Sequence, residues 1–293
     1  MASIASHTQE MNLMALKKFP TPCALLFDLD GTLYRGDEPV SGASELVAYA
    51  RTKSLTPLFV TNNSTRTPSE VADHLLRMNI VAHHEEIVTS ALAAAYDIQA
   101  RSPGAAVFAI GEHGLKTALR EAGLRLIGEQ SEEGKSRELA IADFVVQGLD
   151  RALSYSRLAE ATRQLLAGAG FVQTNPDRLL PVGDGFLPGA GSLGAMLEAA
   201  SGQSPRVIGK PSTIIMDFAL ELAGTTAEQA WVIGDNPYTD LAAARNSGCP
   251  SVLVLTGLCT PDNWRELCVD ANVKPDAVCE GPEQVMQLLD NML

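Results

Sequence analysis

Short apolar runs alternate with longer amphipathic stretches along most of this chain. Cys23–Phe27 is an unbroken apolar run between Pro22 and Gly31 and predicts a short buried strand. Thr56–Thr61, Ala105–Ile110, Phe144–Gln147, Gly170–Thr174, Arg206–Gly209, Ala230–Gly234 and Ser251–Leu255 read the same way. Between them, Ser44–Lys53, Ala91–Gln99, Gly114–Ala122, Tyr155–Leu166, Pro211–Leu222 and Pro237–Ser247 carry helical patterns. Another helix starts near Pro68, where Thr67 is placed to cap, proline suits the first position and Glu70 completes a capping box. Leu75, Leu76 and Met78 supply its apolar side, and Gly224 and Gly248 stop two later helices.

Such alternation predicts an α/β fold: a doubly wound, mostly parallel, Rossmann-like core sheet covered on both faces. The pattern over 89–204 is long enough to be an inserted α/β domain in its own right. The chain then divides into a lead-in, 1–18, a core domain, 19–88 plus 205–293, and the insertion, 89–204. Polar Glu129–Glu138 reads as an exposed loop.

Composition narrows the function. With 293 residues, 46% of them hydrophobic, the chain can build two cored domains. A net charge of −13 argues against nucleic acid as a partner. An anionic substrate must instead be attracted locally, by a metal, a lysine or helix N-termini. Five scattered cysteines form no metal spacing and read as reduced thiols. With neither a secretory apolar segment nor a membrane span in view, the expected location is cytoplasmic.

The candidate chemistry lies at strand ends. Asp28 and Asp30 follow the first strand two positions apart, so their side chains share one face. Alone, the pair also fits an Asp-Gly turn. Other strand ends carry Thr61 and Asn62, then Lys210, then Asp235 and Asp240. A parallel sheet brings such ends to one edge. Crowded carboxylates there require positive charge, and an oxygen-only set favours Mg²⁺ over zinc. Lys210 adds a fixed cation.

The sequence Asp28-Leu-Asp30-Gly31-Thr32, then Thr61-Asn62-Asn63-Ser64, Gly209-Lys210-Pro211 and Gly234-Asp235-Asn236-Pro-Tyr-Thr-Asp240 resembles the haloacid dehalogenase superfamily of aspartate-nucleophile phosphatases. The position of the insertion resembles its NagD-like, 4-nitrophenylphosphatase-like subclass. That resemblance spans residues 22 to 258 and implies a Mg²⁺-dependent phosphomonoester phosphatase acting on a small-molecule phosphate ester. Asp28 would be the nucleophile and Asp30 the acid/base. Thr61 and the Asn62 amide would hold the phosphoryl oxygens, and Lys210 would neutralise charge. Mg²⁺ would take the Asp28 side chain, the Asp30 carbonyl and Asp235. Asp240, with Asn236, would support Lys210 or a water from behind. Gly31, Asn63, Asn175, Asp177 and Arg178 would contact substrate, the last three from the inserted domain. A homodimer through that domain is compatible with the resemblance. A non-catalytic binding or assembly module is the alternative reading.

Other motifs carry less. Gly189-x-Gly191-x-x-Gly194 matches a dinucleotide fingerprint, but no continuous buried strand precedes it, so a Gly-rich helix start is favoured. His83-His84-Glu85-Glu86 reads as a solvated turn, Trp231 as core or sheet-edge packing and Arg66 as an exposed helix-start residue.

Overall fold

A computed structural model of the protein describes residues 20–128, 141–182 and 185–293. The expectations for 1–18 and 129–138 lie outside the described residues. The chain forms two compact units, one of residues up to Thr61 with Ser69–Val88 and Lys210–Leu293, the other of Asn62–Pro68 and Thr89–Gly209.

The first unit is built on a six-stranded sheet. Its strands are β1 (Ala24–Phe27), β4 (Thr56–Thr61), β5 (Ile87–Thr89), β13 (Ala230–Gly234), β14 (Ser251–Val254) and β15 (Ala277–Cys279), in the order β15-β14-β13-β1-β4-β5. The pairs β4–β1, β1–β13, β13–β14 and β14–β15 are all parallel. This is a doubly wound order, and its winding reverses between β1 and β13. Open α/β sheets form their crevice at that reversal.

Burial on both faces explains the unbroken apolar strands. On one face Leu25, Phe27, Phe59, Trp231 and Ile233 pack with residues of α1 (Ala43–Thr52), α2 (Pro68–Arg77) and α10 (Pro282–Asp290). Phe27 and Phe59 stack with centroids 6.0 Å apart, and burying each contributes about 1.5–3 kcal/mol. Against β4 also lies α7 (Thr213–Ala223), followed in the chain by α8 (Ala242–Ser247) and α9 (Trp264–Asp270). A two-stranded hairpin, β2 (Tyr34–Arg35) and β3 (Glu38–Pro39), follows the β1 turn.

Two helix details differ from expectation. On α2 the buried residues are Val71, His74 and Leu75, while Leu76 is exposed. The helix predicted from Pro211 starts at Thr213, because the Ser212 hydroxyl accepts the Ile214 amide at 3.3 Å and caps it there.

The second unit has its own parallel sheet, β12-β9-β8-β6-β7, of β6 (Ala106–Ile110), β7 (Arg125–Ile127), β8 (Phe144–Gln147), β9 (Gly170–Gln173) and β12 (Arg206–Val207). This too is doubly wound. Its helices are α3 (Ser90–Arg101), α4 (His113–Glu121), α5 (Tyr155–Leu166) and α6 (Ala190–Ser201). An antiparallel hairpin, β10 (Leu179–Val182) and β11 (Gly185–Pro188), leads into α6.

One expectation is corrected here. β12, the strand before Lys210, pairs with β9 and belongs to this second sheet. Its end therefore does not share the first sheet's edge with those of β1 and β13. Two residues of strand are too few for periodicity to say which sheet they join.

Candidate active site

The chemistry gathers where β1 and β13 end. Phe27 pairs with Ile233, and the Asp28 amide donates to the Ile233 carbonyl at 2.9 Å. The ladder therefore delivers Asp28 and, after Gly234, Asp235 to neighbouring positions. Asp240 returns to the same place from the π-helical turn Pro237–Leu241. That turn departs from the continuous α-helix predicted over Pro237–Ser247, for a local reason. The Asn236 side chain accepts the Tyr238 amide at 2.9 Å, and Asp240 Oδ2 accepts the Asn236 amide at 3.1 Å. Gly234 makes room, since a Cβ there would lie 2.4 Å from Asp240.

Oxygens of Asp28, Asp235 and Asp240 lie within 4.8 Å of one another. Among the described residues this is the one grouping of metal-ligating side chains of its kind. Lys210 joins it across the fold, donating to Asp28 Oδ1 at 2.6 Å, Asp240 Oδ1 at 2.7 Å and the Val60 carbonyl at 2.9 Å. Thr32 Oγ1 sits 3.4 Å from both Asp28 Oδ2 and Asp235 Oδ1. Lys210, Asp235 and Asp240 are buried, and Asp28 is 14% exposed, so one carboxylate of the set faces outward.

Electrostatics follow from this crowding. Burial, then the charge of Asp240, pushes the Asp28 carboxyl up to about 7 against the pull of Lys210. Asp235 is driven well above the usual carboxylate range by burial and by the charges of Asp28 and Asp240. For Lys210 burial works against the charge, but Asp240 and Asp28 outweigh it and raise its pKa. With all four groups ionised, three negative charges meet one positive. The set is all oxygen, crowded and two charges short of neutral, which fits a hard divalent cation.

Asp30 stands apart from the buried set. It is exposed at the turn and bridges to Tyr34. Desolvation raises its pKa, while the Gly36 backbone and the charge of His74 pull the other way. His74 was not singled out in the sequence. It is buried on α2, meets the Tyr34 ring edge-on at 5.1 Å and has its Nδ1 3.0 Å from the Arg77 guanidinium. Its place between Val71 and Leu75 on the buried side was the available signal.

The remaining candidates fall into two groups. Gly31 is at φ +91°, and a Cβ there would lie 2.4 Å from Asp235 Oδ2, so only glycine fits. Thr61 ends β4 and is buried. In the second unit, Asn62, Asn175 and Asp177 interlock. The Asn62 side chain donates to Asp177 at 3.2 Å, and Asn175 Nδ2 donates to the Asn62 carbonyl at 2.8 Å. Asn63 accepts the amide and hydroxyl of Thr65, each at 2.8 Å, in a local turn. Arg178 is exposed.

The motifs set aside find structural explanations. β11 is fully exposed, unlike a dinucleotide-binding strand. Gly189, Gly191 and Gly194 instead let α6 approach the chain after β9: a Cβ at Gly191 would lie 2.1 Å from the Pro176 carbonyl. The His83–Glu86 stretch is a short turn, with Glu86 paired to Arg51 at 2.6 Å. Trp231 is wholly buried, and Arg66 is exposed.

Known proteins give the same picture. A sequence model described as haloacid dehalogenase-like hydrolase matches residues 25–125, and one described as HAD-hydrolase-like matches residues 207–283. An acid sugar phosphatase of Staphylococcus aureus (strain MRSA252) is 43% identical over 237 residues, covering 81% of this chain and 88% of that one. The structure of a p-nitrophenyl phosphatase from Archaeoglobus fulgidus matches with a TM-score of 0.84 at 32% identity, covering 92% of this chain and 99% of that one. A 4-nitrophenylphosphatase from Thermotoga maritima matches with a TM-score of 0.81 at 31% identity, covering 93% and 98%.

Proposed function

The chain belongs to the haloacid dehalogenase-like hydrolases and is a phosphoric monoester hydrolase; from that premise we propose a Mg²⁺-dependent phosphatase of small phosphorylated metabolites that works through an aspartyl-phosphate on Asp28. The observation that carries this reading is Lys210 held between Asp28 and Asp240, with Asp235 in the same cluster.

Asp28 is the member of the cluster that opens to solvent, and an attacking oxygen must reach its target. Its carboxylate attacks phosphorus and the phosphorus–ester oxygen bond breaks. Asp30 gives its proton to the departing alkoxide. It then takes a proton from water as that water attacks phosphorus, which breaks the bond to Asp28 and releases inorganic phosphate. A raised pKa suits Asp30 to both transfers. Lys210 offsets the charge gathering on Asp28 and the phosphoryl group, while Thr61 and the amide of Asn62 hold phosphoryl oxygens. Asp28, Asp235 and the Asp30 carbonyl would hold Mg²⁺, with Asp240 and Asn236 fixing Lys210 and the turn. Bound there, Mg²⁺ supplies charge neutralisation for the nucleophile and the transferring group.

Sugar phosphates lead the substrate list, because similar proteins are named acid sugar phosphatases. Selection among alcohols is assigned to the loop Asn175–Arg178. Exchange of Asp177 for Ala should alter the ranking of esters and spare turnover of 4-nitrophenyl phosphate. No described helix is long and apolar enough to cross a membrane. The five cysteines are free thiols, as a reducing cytoplasm would keep them.

The deciding assay is hydrolysis of 4-nitrophenyl phosphate with and without Mg²⁺, with Asp28→Asn as control. Metal-dependent turnover above that control is expected. Its absence would favour a binding module on the same fold. A panel of phosphate esters ranked by kcat/KM then identifies the alcohol.

A further inference from the structure

The segment Thr256–Cys259, just after β14, touches the cluster from behind. The Leu258 amide donates to Asp235 Oδ2 at 2.5 Å, and the Cys259 amide to the Asp235 carbonyl at 3.3 Å. Gly257 lies flat against both catalytic turns. A Cβ on it would stand 2.0 Å from Asp235 Oδ2 and 2.6 Å from Gly31 Cα. Thr256 ties the same segment to the β1 turn, its hydroxyl donating to the Gly31 carbonyl at 2.7 Å. From the other side, Arg35 of the β2–β3 hairpin donates to the Thr256 carbonyl.

These contacts form a chain: Arg35 to Thr256, Thr256 to Gly31, and the two following residues to Asp235. Their consequence for Asp235 is specific. Oδ2 is occupied by a backbone amide, which leaves Oδ1 on the side of Asp28 and Thr32. A carboxylate presents one chosen oxygen to a cation only if its neighbours fix its rotamer. The backbone of Gly257 and Leu258 does so, and Thr256 fixes that backbone to the strand end that carries Asp28 and Asp30.

We propose that Thr256 is a positioning residue for the phosphatase site: by clipping segment 256–258 to Gly31 it aims Asp235 Oδ1 at the cation. The inference rests on the metal-dependent reading above. Nothing in the four sequence motifs points to it, because Thr256 and Gly31 are 225 positions apart. Arg35 and Thr256 also line a cleft of 540 Å³ between the hairpin and the turn before α10. Asp28, Asp235 and Asp240 do not line that cleft.

The test is Mg²⁺ binding by titration calorimetry on the full chain, without substrate, alongside steady-state kinetics. Thr256→Val keeps the shape and removes the donor. Loss of one ordinary hydrogen bond predicts Mg²⁺ binding weakened about fivefold. With metal saturating, KM should stay within about twofold of wild type. Thr256→Ser, which keeps the hydroxyl, should restore affinity to within about twofold. Arg35→Met, exposed and outside the core, is the second variant and should weaken Mg²⁺ binding in the same direction. Wild-type Mg²⁺ affinity in Thr256→Val overturns the proposal whatever Arg35→Met does, as does Thr256→Ser behaving like Thr256→Val. If the wild-type chain itself binds no Mg²⁺, the metal-dependent reading fails first, so the two failures are distinguishable.

Discussion

Removing the cation should make the protein less stable as pH rises, opposite to the behaviour of paired carboxylates. Asp28 titrates near 3.8 in an ordinary setting and at about 7 in the fold. Between those values the native state holds a proton that the unfolded chain releases. The native state therefore binds more protons, and unfolding free energy falls with rising pH across this window, then levels off above it. Asp235 and Asp30 are shifted in the same sense. Glu86 and Glu112 are lowered by their Arg51 and Arg151 partners, so their opposite contribution is complete before pH 5. Histidines also titrate from pH 5 to 7, so the share of Asp28 is the difference between wild type and Asp28→Asn, which carry the same histidines. Two pH units at about 1.4 kcal/mol each give a loss on the order of 2–3 kcal/mol. The assay is urea unfolding of chelator-treated protein, followed by tryptophan fluorescence, with wholly buried Trp231 as a reporter. Asp28→Asn should flatten the profile, and so should millimolar Mg²⁺, which replaces the proton as counter-charge. A metal-free profile that is flat or rises over pH 5–7, in wild type and Asp28→Asn alike, would refute the reasoning.

Three further outcomes are expected. Lys210→Arg should not rescue the loss of activity in Lys210→Met, because three acceptors at 2.6, 2.7 and 2.9 Å converge on one compact ammonium and a planar guanidinium cannot reproduce that; recovery above a tenth of wild-type kcat would contradict this. Gly194→Ala should destabilise the second unit by about 1–3 kcal/mol, since the added Cβ would stand 2.3 Å from Gln173 Nε2 and 2.9 Å from Gln147 Oε1; an unchanged melting temperature would speak against it. Arg51→Ala should cost about 1–2 kcal/mol by leaving Glu86 without its two-pronged partner at 2.7 and 2.6 Å, measured as a lower urea midpoint with unchanged turnover.

What the sequence discloses and what it hides divide along physical lines. β1 and β13 are legible because burial on both faces forces unbroken apolar runs, and the residues just past them are then candidates by position alone. Asp28 and Asp235 were found that way. Residues 155–166 were legible as a helix with the bounds observed, since Ser154 caps it through the Arg157 amide. β7, with three residues, and the hairpin β10–β11, whose second strand is exposed, carry too little pattern to register. The turn at Pro237–Leu241 was hidden for another reason: the Asn236 and Asp240 side chains cap its first amides and the Leu241 amide reaches back five residues to the Asn236 carbonyl, which periodicity does not see. Lys210 was rightly linked to Asp28 but through the wrong strand, because the sheet to which β12 belongs is a tertiary fact. Thr256 meets Gly31 across 225 positions, and a contact at that separation leaves no local trace.

The charge balance of the cluster also constrains how substrate must arrive. A chain of net charge −13 offers a phosphate ester no general attraction, and Asp28, Asp235 and Asp240 against Lys210 leave two negative charges uncompensated when ionised. Without a cation, the cluster lowers that repulsion only by keeping protons, as the raised positions of Asp28 and Asp235 indicate. A protonated Asp28 could not serve as the nucleophile proposed above. Neutralisation by protons and nucleophilic competence are therefore mutually exclusive, whereas a divalent cation permits both. Phosphate-ester affinity and turnover should accordingly rise together with metal occupancy. Inorganic phosphate should bind the metal-free chain at least tenfold more weakly than the Mg²⁺-loaded one, a difference of about 1.4 kcal/mol measurable by calorimetry. Equal affinities would mean that Lys210 and backbone amides suffice to hold the anion, and that the carboxylates are neutralised by some other route.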